Sequence, residues 1–181
     1  MGELLEKIKT KKAKIGIVGL GYVGLPLALE FVRSGYCVTG IDKNKERVES
    51  LKKGTSYVID VKSEDIAKKK KKGLFRVTDD TSVLSTLDAI SICVPTPLTK
   101  TKDPDMSYII NVSQEVKNYL HKDQLFILES TTYPGTTEEL VLPMLAEGGL
   151  TVGKDFYLAF SPERIDPGNK RYSVKNGWCF E

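Results

Sequence analysis

The sequence is poor in the residues that crosslink small proteins or bind metals. Among 181 residues there are 3 cysteines and 1 histidine. Cys37, Cys93 and Cys179 are too few and too widely spaced for a disulfide framework or a zinc site, so we expect no metal. Cys37 and Cys93 lie within apolar runs, which is typical of small buried hydrophobic residues.

Long apolar segments are also absent. No stretch approaches the roughly 20 apolar residues that a helix needs to span a bilayer. Residues 1–12 are charged throughout, a pattern that predicts the absence of a signal peptide. We therefore expect a cytoplasmic protein with no membrane partner.

Charge of one sign is present only in moderate excess. The formal net charge is +3, and apolar residues make up 40% of a composition that is typical of a globular domain. Much of the positive excess lies in the lysine run 68–72, and such a run is usually the solvated end of a helix. A nucleic-acid surface would need interleaved aromatic residues or further basic clusters, so we expect no nucleic-acid partner. Nucleic-acid binding through this run is the alternative.

Strand-like apolar runs alternate with segments of helical periodicity along most of the chain. The predicted strands are 14–18, 37–41, 74–77, 89–94, 124–128 and 156–160. The predicted helices include 22–34, one capped by Asn44, one opening at Ser63, a small one after Asp79 or Asp80, 107–120 and 136–145. Parallel strands need such crossover helices. The pattern therefore predicts an α/β doubly wound parallel sheet, the Rossmann fold, in a single domain over 14–174. A charged helix or tail precedes it over 1–13, and an atypical tail covers 175–181.

A glycine-rich loop joins the first predicted strand to the first long helix. It reads Gly19-Leu20-Gly21-Tyr22-Val23-Gly24, and this G-x-G-x-x-G pattern gains meaning from its place between strand and helix. The first glycine permits a tight turn, the second lets the backbone approach a pyrophosphate, and the third allows close helix packing. The helix N-terminus adds free N–H groups and a partial positive charge. We predict that Gly19, Gly21, Tyr22, Val23 and Gly24 bind a dinucleotide.

An acidic residue follows at the distance that this kind of site requires. Asp42 ends the second predicted strand, 18 positions after Gly24. A carboxylate there accepts hydrogen bonds from ribose hydroxyls and repels a 2′-phosphate, so NAD is predicted rather than NADP. The alternative is a simple glycine turn with a surface aspartate at a strand end.

Later segments resemble the UDP-glucose/GDP-mannose dehydrogenase family. They are Val94-Pro95-Thr96-Pro97, Glu129-Ser130-Thr131-Thr132-Tyr133-Pro134-Gly135-Thr136 and Ser161-Pro162-Glu163-Arg164. Pro26 after the glycine loop and Arg47 after Asp42 resemble the same family, and the similarity extends from Lys14 to about Ser173. The last segment, followed by Asp166-Pro167-Gly168-Asn169, is most similar to UDP-N-acetylglucosamine and UDP-N-acetylmannosamine 6-dehydrogenases.

This resemblance implies an NAD-dependent oxidoreductase that converts the C6 alcohol of a UDP-sugar to a carboxylate with two NAD. It assigns Arg47, with Asp42, to the adenosine ribose, and Thr96 and Thr132 to the nicotinamide side. It makes Thr132 and Glu163 catalytic and places Glu163 and Arg164 at the substrate. It also implies a UDP-sugar partner and a homo-oligomeric full-length protein.

The residues by themselves leave simpler roles open for several of these positions. Thr96 stands between two prolines and could only end a strand. The run 130–132 could cap the following helix, although Thr136 is better placed to do so. Glu163 could be a solvated loop acid.

The family's catalytic cysteine has no counterpart in this chain. Family members are more than twice as long, and the resemblance implies that the nucleophilic cysteine belongs to a second α/β domain. Cys179 lies in the tail 176–181, which departs from the family pattern. Because the second oxidation needs a thiolate nucleophile, we expect the catalytic C-terminal half to be absent and the chain to be inactive alone. The alternative is a stand-alone NAD-binding regulatory module without redox activity.

Overall fold

Six parallel strands form one sheet in a computed structural model that describes residues 2–100 and 102–162. The strands are β1 Lys14–Val18, β2 Cys37–Ile41, β3 Phe75–Thr78, β4 Ala89–Ile92, β5 Gln124–Leu128 and β6 Phe156–Phe160. Their order is β3-β2-β1-β4-β5-β6, and each neighbouring pair is parallel. The order reverses between β1 and β4, which is the doubly wound topology. The predicted Rossmann fold is therefore confirmed.

Helices connect the strands. They are α1 Gly2–Lys9, α2 Gly24–Arg33, α3 Lys45–Lys52, α4 Ser63–Lys71, α5 Ser107–Lys117 and α6 Leu142–Ala146. A 3₁₀ helix, Thr81–Thr86, precedes β4, and a π-helix, Thr136–Val141, leads into α6. None of the helices in the described part of the chain has the length and apolar character needed to span a bilayer.

Several element boundaries differ from the sequence-based prediction. The third strand is one residue later than 74–77, because Phe75 to Thr78 are the residues in register with β2. The fourth ends at Ile92, and the carbonyl of the next residue, Cys93, lies against Gly19 of the glycine loop. The helix predicted over 136–145 is two elements, and α5 ends at Lys117 rather than at residue 120.

The two faces of the sheet carry separate hydrophobic cores. On one face, Ile15 and Ile17 of β1 pack with Leu25 and Leu29 of α2. On the other face, β4 and β5 contribute to a core completed by α5 and α6; its residues include Ile90, Phe126, Val112 and Leu145. Burial on both faces explains why these strands are nearly continuous apolar runs.

The N-terminal segment is a helix attached to the domain. Leu4 of α1 is buried, and the Lys7 ammonium donates to the Asp88 carboxylate at 3.0 Å. The same carboxylate accepts the Lys14 backbone N–H at 2.8 Å, so it ties α1 to the start of β1. This hydrogen bond, which Lys7 donates to Asp88, also raises the pKa of Lys7. Of the two predicted forms of this segment, helix or tail, the structure shows the helix.

Two predictions about surface and burial need correction. Cys93 is buried as predicted, but Cys37, the first residue of β2, is exposed. The lysine run is only partly solvated. Lys69 donates to the Leu29 carbonyl at 3.1 Å, and Lys70 donates to the carbonyl of Lys52. Cys179 lies outside the described residues.

One buried polar side chain, that of Gln124, offers a test of the core on the α5 and α6 face of the sheet. Gln124 is fully buried, and its amide donates to the carbonyls of Leu84 and Leu87 at 2.9 and 2.8 Å. We expect Gln124→Leu to lower the free energy of unfolding by about 1–3 kcal/mol, because buried hydrogen bonds are lost without replacement. The matched control is Gln114→Leu on the exposed face of α5, which should change stability by no more than about 0.5 kcal/mol. Chemical denaturation of both variants checks this; equal losses would contradict it.

Candidate cofactor cleft

A cleft of about 570 Å³ opens at the carboxyl edge of the sheet. Its walls come from the segments that follow β1, β2, β4 and β5 and from one side of α5. The lining includes Gly19, Gly21, Tyr22, Val23, Asp42, Lys43, Asn44, Arg47, Cys93, Val94, Pro95, Thr96, Tyr108, Asn111, Glu115, Glu129, Ser130 and Thr131. Open α/β sheets bind ligands at this edge, where the strand order reverses. The cleft therefore lies where a dinucleotide is expected.

Two glycines of the loop are required by the fold itself. Gly19 has φ of +91°, and a Cβ there would lie 2.6 Å from the carbonyl oxygen of Cys93. A Cβ on Gly24 would lie 1.8 Å from the carbonyl oxygen of Gly19. Any side chain at either position would push α2 away from the ends of β1 and β4.

Gly21 differs from its two neighbours. A Cβ built on it meets nothing within 4 Å, although the residue lines the cleft. Among the described residues, the backbone N–H groups of Gly21, Tyr22 and Val23 find no acceptor. They lie directly before the N-terminus of α2, where the helix dipole is positive. The loop thus presents unpaired donors to an anion, which fits a pyrophosphate.

Asp42 is built into the base of this loop. It is 8% exposed, and its Oδ2 accepts the Leu20 N–H at 2.8 Å. Its Oδ1 accepts the Asn44 N–H at 2.9 Å, and the Arg47 guanidinium lies 3.6 Å from Oδ2. The carboxylate therefore holds the glycine loop and the start of α3 in addition to lining the cleft.

The rim beside Asp42 carries an ion pair that sequence reasoning missed. Lys43, which follows β2, lies 2.5 Å from the carboxylate of Glu115 on α5. Both residues line the cleft, so the pair joins the segment after β2 to α5. The nearby Asn44 accepts the Arg47 N–H at 3.1 Å, which confirms the predicted cap of α3. Nothing local in the sequence connects Lys43 with a residue so much later in the chain.

Tyr57 is a second residue that sequence reasoning missed. Its hydroxyl donates to the Leu20 carbonyl at 2.6 Å, and the Arg47 guanidinium lies 5.6 Å from its ring centre. Burial, reinforced by the charge of Asp42, raises the pKa of Tyr57 to about 12. Tyr57 also lines a smaller cavity of about 370 Å³ that shares Gly21, Tyr22 and Arg47 with the main cleft.

The opposite end of the cleft is formed by the loops after β4 and β5. Thr96 donates its hydroxyl to the Thr131 carbonyl at 2.7 Å, and Ser130 donates to the Val94 carbonyl at 2.8 Å. These bonds tie the two loops together, so Thr96 does more than end a strand. The hydroxyl of Ser130 is used in this tie and does not cap the next helix. Thr136 is no side-chain cap either, because its hydroxyl donates to the Tyr133 carbonyl at 2.8 Å.

A partly buried acidic group lies at the same end. Glu129 follows β5, lines the cleft and accepts the Ser91 hydroxyl at 2.7 Å. The sulfur of Cys93 lies 3.5 Å from that hydroxyl. The sequence signal for Glu129 was its place at the head of a segment shared with the family.

The predicted catalytic residues are only partly visible in the structure. Thr132 is half-buried and follows Thr131, which lines the cleft. Glu163 and Arg164 lie outside the described residues. The roles assigned to these three residues stay predictions.

Comparison with known proteins agrees with this geometry. The family model for the UDP-glucose/GDP-mannose dehydrogenase family, NAD binding domain, matches residues 13–177. The chain belongs to this family. The UDP-N-acetyl-D-glucosamine 6-dehydrogenase of Salmonella typhi is 39% identical over 166 residues, which cover 91% of this chain and 38% of that protein.

Solved structures show the same relationship. The UDP-D-ManNAc dehydrogenase of Pyrococcus horikoshii is 37% identical with a TM-score of 0.81; the match covers 86% of this chain and 37% of that one. The NDP-N-acetyl-D-galactosaminuronic acid dehydrogenase of Methanosarcina mazei Go1 is 38% identical with a TM-score of 0.81, over 93% of this chain and 38% of that one. The chain therefore spans under two fifths of the length of these relatives. It forms an NAD-binding domain, and NAD is its cofactor.

Because no protein atom lies near a Cβ on Gly21, a substitution there can affect NAD binding without affecting the stability of the fold. We expect Gly21→Ala to weaken NAD binding at least about tenfold, because the new methyl group lies where the pyrophosphate approaches the loop. Its melting temperature should hardly change, since nothing in the protein occupies that space. The contrasting variant is Gly24→Ala, whose methyl group collides with the Gly19 carbonyl and should lower the melting temperature sharply. Calorimetric titration and thermal unfolding check both; a Gly21→Ala chain that binds NAD normally would contradict the assignment.

Proposed function

We propose that this chain is the NAD-binding part of a nucleotide-sugar 6-dehydrogenase that oxidises the C6 alcohol of a UDP-N-acetylhexosamine or UDP-hexose to a carboxylate. The observation that carries the proposal is the set of unpaired N–H donors of the glycine loop beside Asp42, at the point where the strand order reverses. The family match supports the reaction class. The names of relatives at 34–39% identity support the N-acetylhexosamine as substrate.

The cleft defines an orientation for the cofactor. The adenosine ribose would lie at Asp42 and Arg47, and the pyrophosphate at the N–H groups of Gly21 to Val23. The nicotinamide would then extend toward the joined loops of Thr96 and Thr131. Bound NAD supplies the hydride acceptor, and the residues of this chain hold it in one position and orientation.

The rim favours NAD over NADP. Asp42 presents a negative charge where a 2′-phosphate would lie. The two nearest cations are already engaged, because Lys43 pairs with Glu115 and Arg47 lies between Asp42 and the ring of Tyr57. A 2′-phosphate would therefore meet a carboxylate and would have to compete for both cations.

The catalytic thiol is not supplied by either described cysteine. Cys93 lines the cleft, but it is only 7% exposed, and its Cβ would lie 3.2 Å from a Cβ on Gly24. Cys37 begins β2, at the edge of the sheet opposite the cleft. We place the nucleophile in the region of the relatives that this chain does not cover, with Thr132 and Glu163 acting on the proton and water on this side.

Asp42 provides the test of cofactor selectivity. We expect Asp42→Asn to weaken NAD binding by roughly 1–3 kcal/mol and to narrow the preference for NAD over NADP, since a charged hydrogen-bond acceptor and a repulsive charge are both lost. The melting temperature should also fall. In the wild-type protein the two carboxylate oxygens accept the N–H groups of Leu20 and Asn44, whereas in the variant the amide NH₂ would face one of these donors. Asp79→Asn, at an exposed position, is the control. Calorimetric titration of both cofactors decides; an unchanged preference would mean that another residue reads the ribose.

A turnover assay tests whether this chain binds NAD without catalysing the oxidation. Supplied with NAD and UDP-N-acetylglucosamine, the 181-residue chain should form no NADH over hours at high enzyme concentration. The cleft can hold the cofactor, but we place the nucleophilic thiol in the part of the relatives that this chain does not cover. Absorbance at the NADH band is the measurement, and calorimetric binding of NAD to the same sample shows that the chain is folded. Steady NADH formation that disappears in a Cys179→Ser variant would contradict the proposal.

A further inference from the structure

We propose that Tyr57 is a positioning residue for the cofactor pyrophosphate, which acts by orienting the backbone N–H of Gly21 toward the phosphate oxygens. The inference rests on the proposed function, in which the glycine loop binds the pyrophosphate. It adds a residue outside the glycine motif, on the segment between α3 and α4, and gives it a defined physical task.

The task follows from the geometry of one peptide unit. The hydroxyl of Tyr57 donates to the Leu20 carbonyl at 2.6 Å. That carbonyl and the Gly21 N–H belong to the same planar trans peptide, in which the two groups point in opposite directions. When Tyr57 fixes the carbonyl on its own side, the Gly21 N–H must point away from Tyr57. Gly21 lines the main cleft, Tyr57 does not, and no described residue accepts this N–H.

Leu20 is held from a second side as well. Its own N–H donates to Asp42 at 2.8 Å, and its side chain is fully buried against Gly40 of β2. Asp42 thus fixes the peptide before Leu20, and Tyr57 fixes the peptide after it. Within residues 2–100 and 102–162, the second peptide has no other hydrogen bond to hold its plane, and Gly21 has no side chain to restrict its rotation. A hydrogen bond to the carbonyl also polarises the peptide, which makes its N–H a stronger donor.

Tyr57 is itself held in place, as a positioning group must be. Val58 and Val61, which follow it, pack into the core beneath α2. The hydroxyl of Ser56 donates to the Val58 carbonyl at 3.1 Å and closes a turn around Tyr57. Although 37% of Tyr57 is exposed, the Arg47 guanidinium lies over its ring. Because burial raises the pKa of Tyr57 to about 12, its hydroxyl keeps its proton and stays a donor at neutral pH.

The test compares two tyrosine hydroxyls, each of which donates a hydrogen bond to a backbone carbonyl, one at the glycine loop and one away from the cleft. Tyr57→Phe keeps the ring beneath Arg47 and removes only the donor to Leu20. Tyr36→Phe is the matched control, because the Tyr36 hydroxyl also donates to a backbone carbonyl, that of Ile8 at 2.9 Å, and lies outside the cleft. Each variant of the 181-residue chain is titrated with NAD and ADP, which carry a pyrophosphate, and with adenosine, which carries none. Thermal unfolding is recorded for both.

We expect Tyr57→Phe to raise the Kd of NAD and ADP by about two- to tenfold, the effect of one hydrogen bond, and to leave the Kd of adenosine unchanged. Tyr36→Phe should lose thermal stability without a change in any of the three affinities. Unchanged NAD affinity in Tyr57→Phe, or an equal loss for adenosine, would overturn the inference. A wild-type chain that binds no NAD would instead overturn the proposed function on which it rests.

Discussion

The close approach of α2 to the ends of β1 and β4 is the contact on which the cleft depends. Gly24 and Gly19 meet with no room for a Cβ, and Gly19 in turn lies against the Cys93 carbonyl. This contact sets the N-terminus of α2 directly above the edge of the sheet. The unpaired N–H groups of the loop, the buried carboxylate of Asp42 and the rim formed by α5 are all placed relative to it. A wider separation here would move every donor away from the ligand.

Much of the fold could be predicted because its signals are local. A strand buried on both faces is an apolar run, a helix cap such as Asn44 lies next to the helix that it caps, and the glycine loop is contiguous. The order of the strands followed from the alternation of strands and helices together with the position of that loop. The predictions that were wrong also came from such local signals. Cys37 belongs to an apolar run, but it is the first residue of its strand and is exposed, so membership of the run did not predict its burial.

The parts of the cleft that escaped prediction depend on contacts between distant segments. Tyr57 reaches Leu20 across the sheet edge, and Lys43 reaches Glu115 on a helix from the other half of the fold. The tie between Thr96 and Thr131 likewise joins two loops that are neighbours only because β4 and β5 pair. No spacing rule in a single sequence reveals such pairs. The bonds of Asp42 to Leu20 and Asn44 were not predicted, since they exist only once the loop is folded; its contact with the ribose stays a prediction.

The unpaired donors of Gly21, Tyr22 and Val23 have a consequence for the protein without cofactor. Backbone N–H groups at an open cleft are hydrated, so a pyrophosphate that enters must displace that water before it can accept their hydrogen bonds. Its affinity for the loop is then the difference between two sets of hydrogen bonds. Small oxyanions such as phosphate and sulfate can make the same exchange at a helix N-terminus. A buffer rich in either ion therefore competes with the cofactor for the loop.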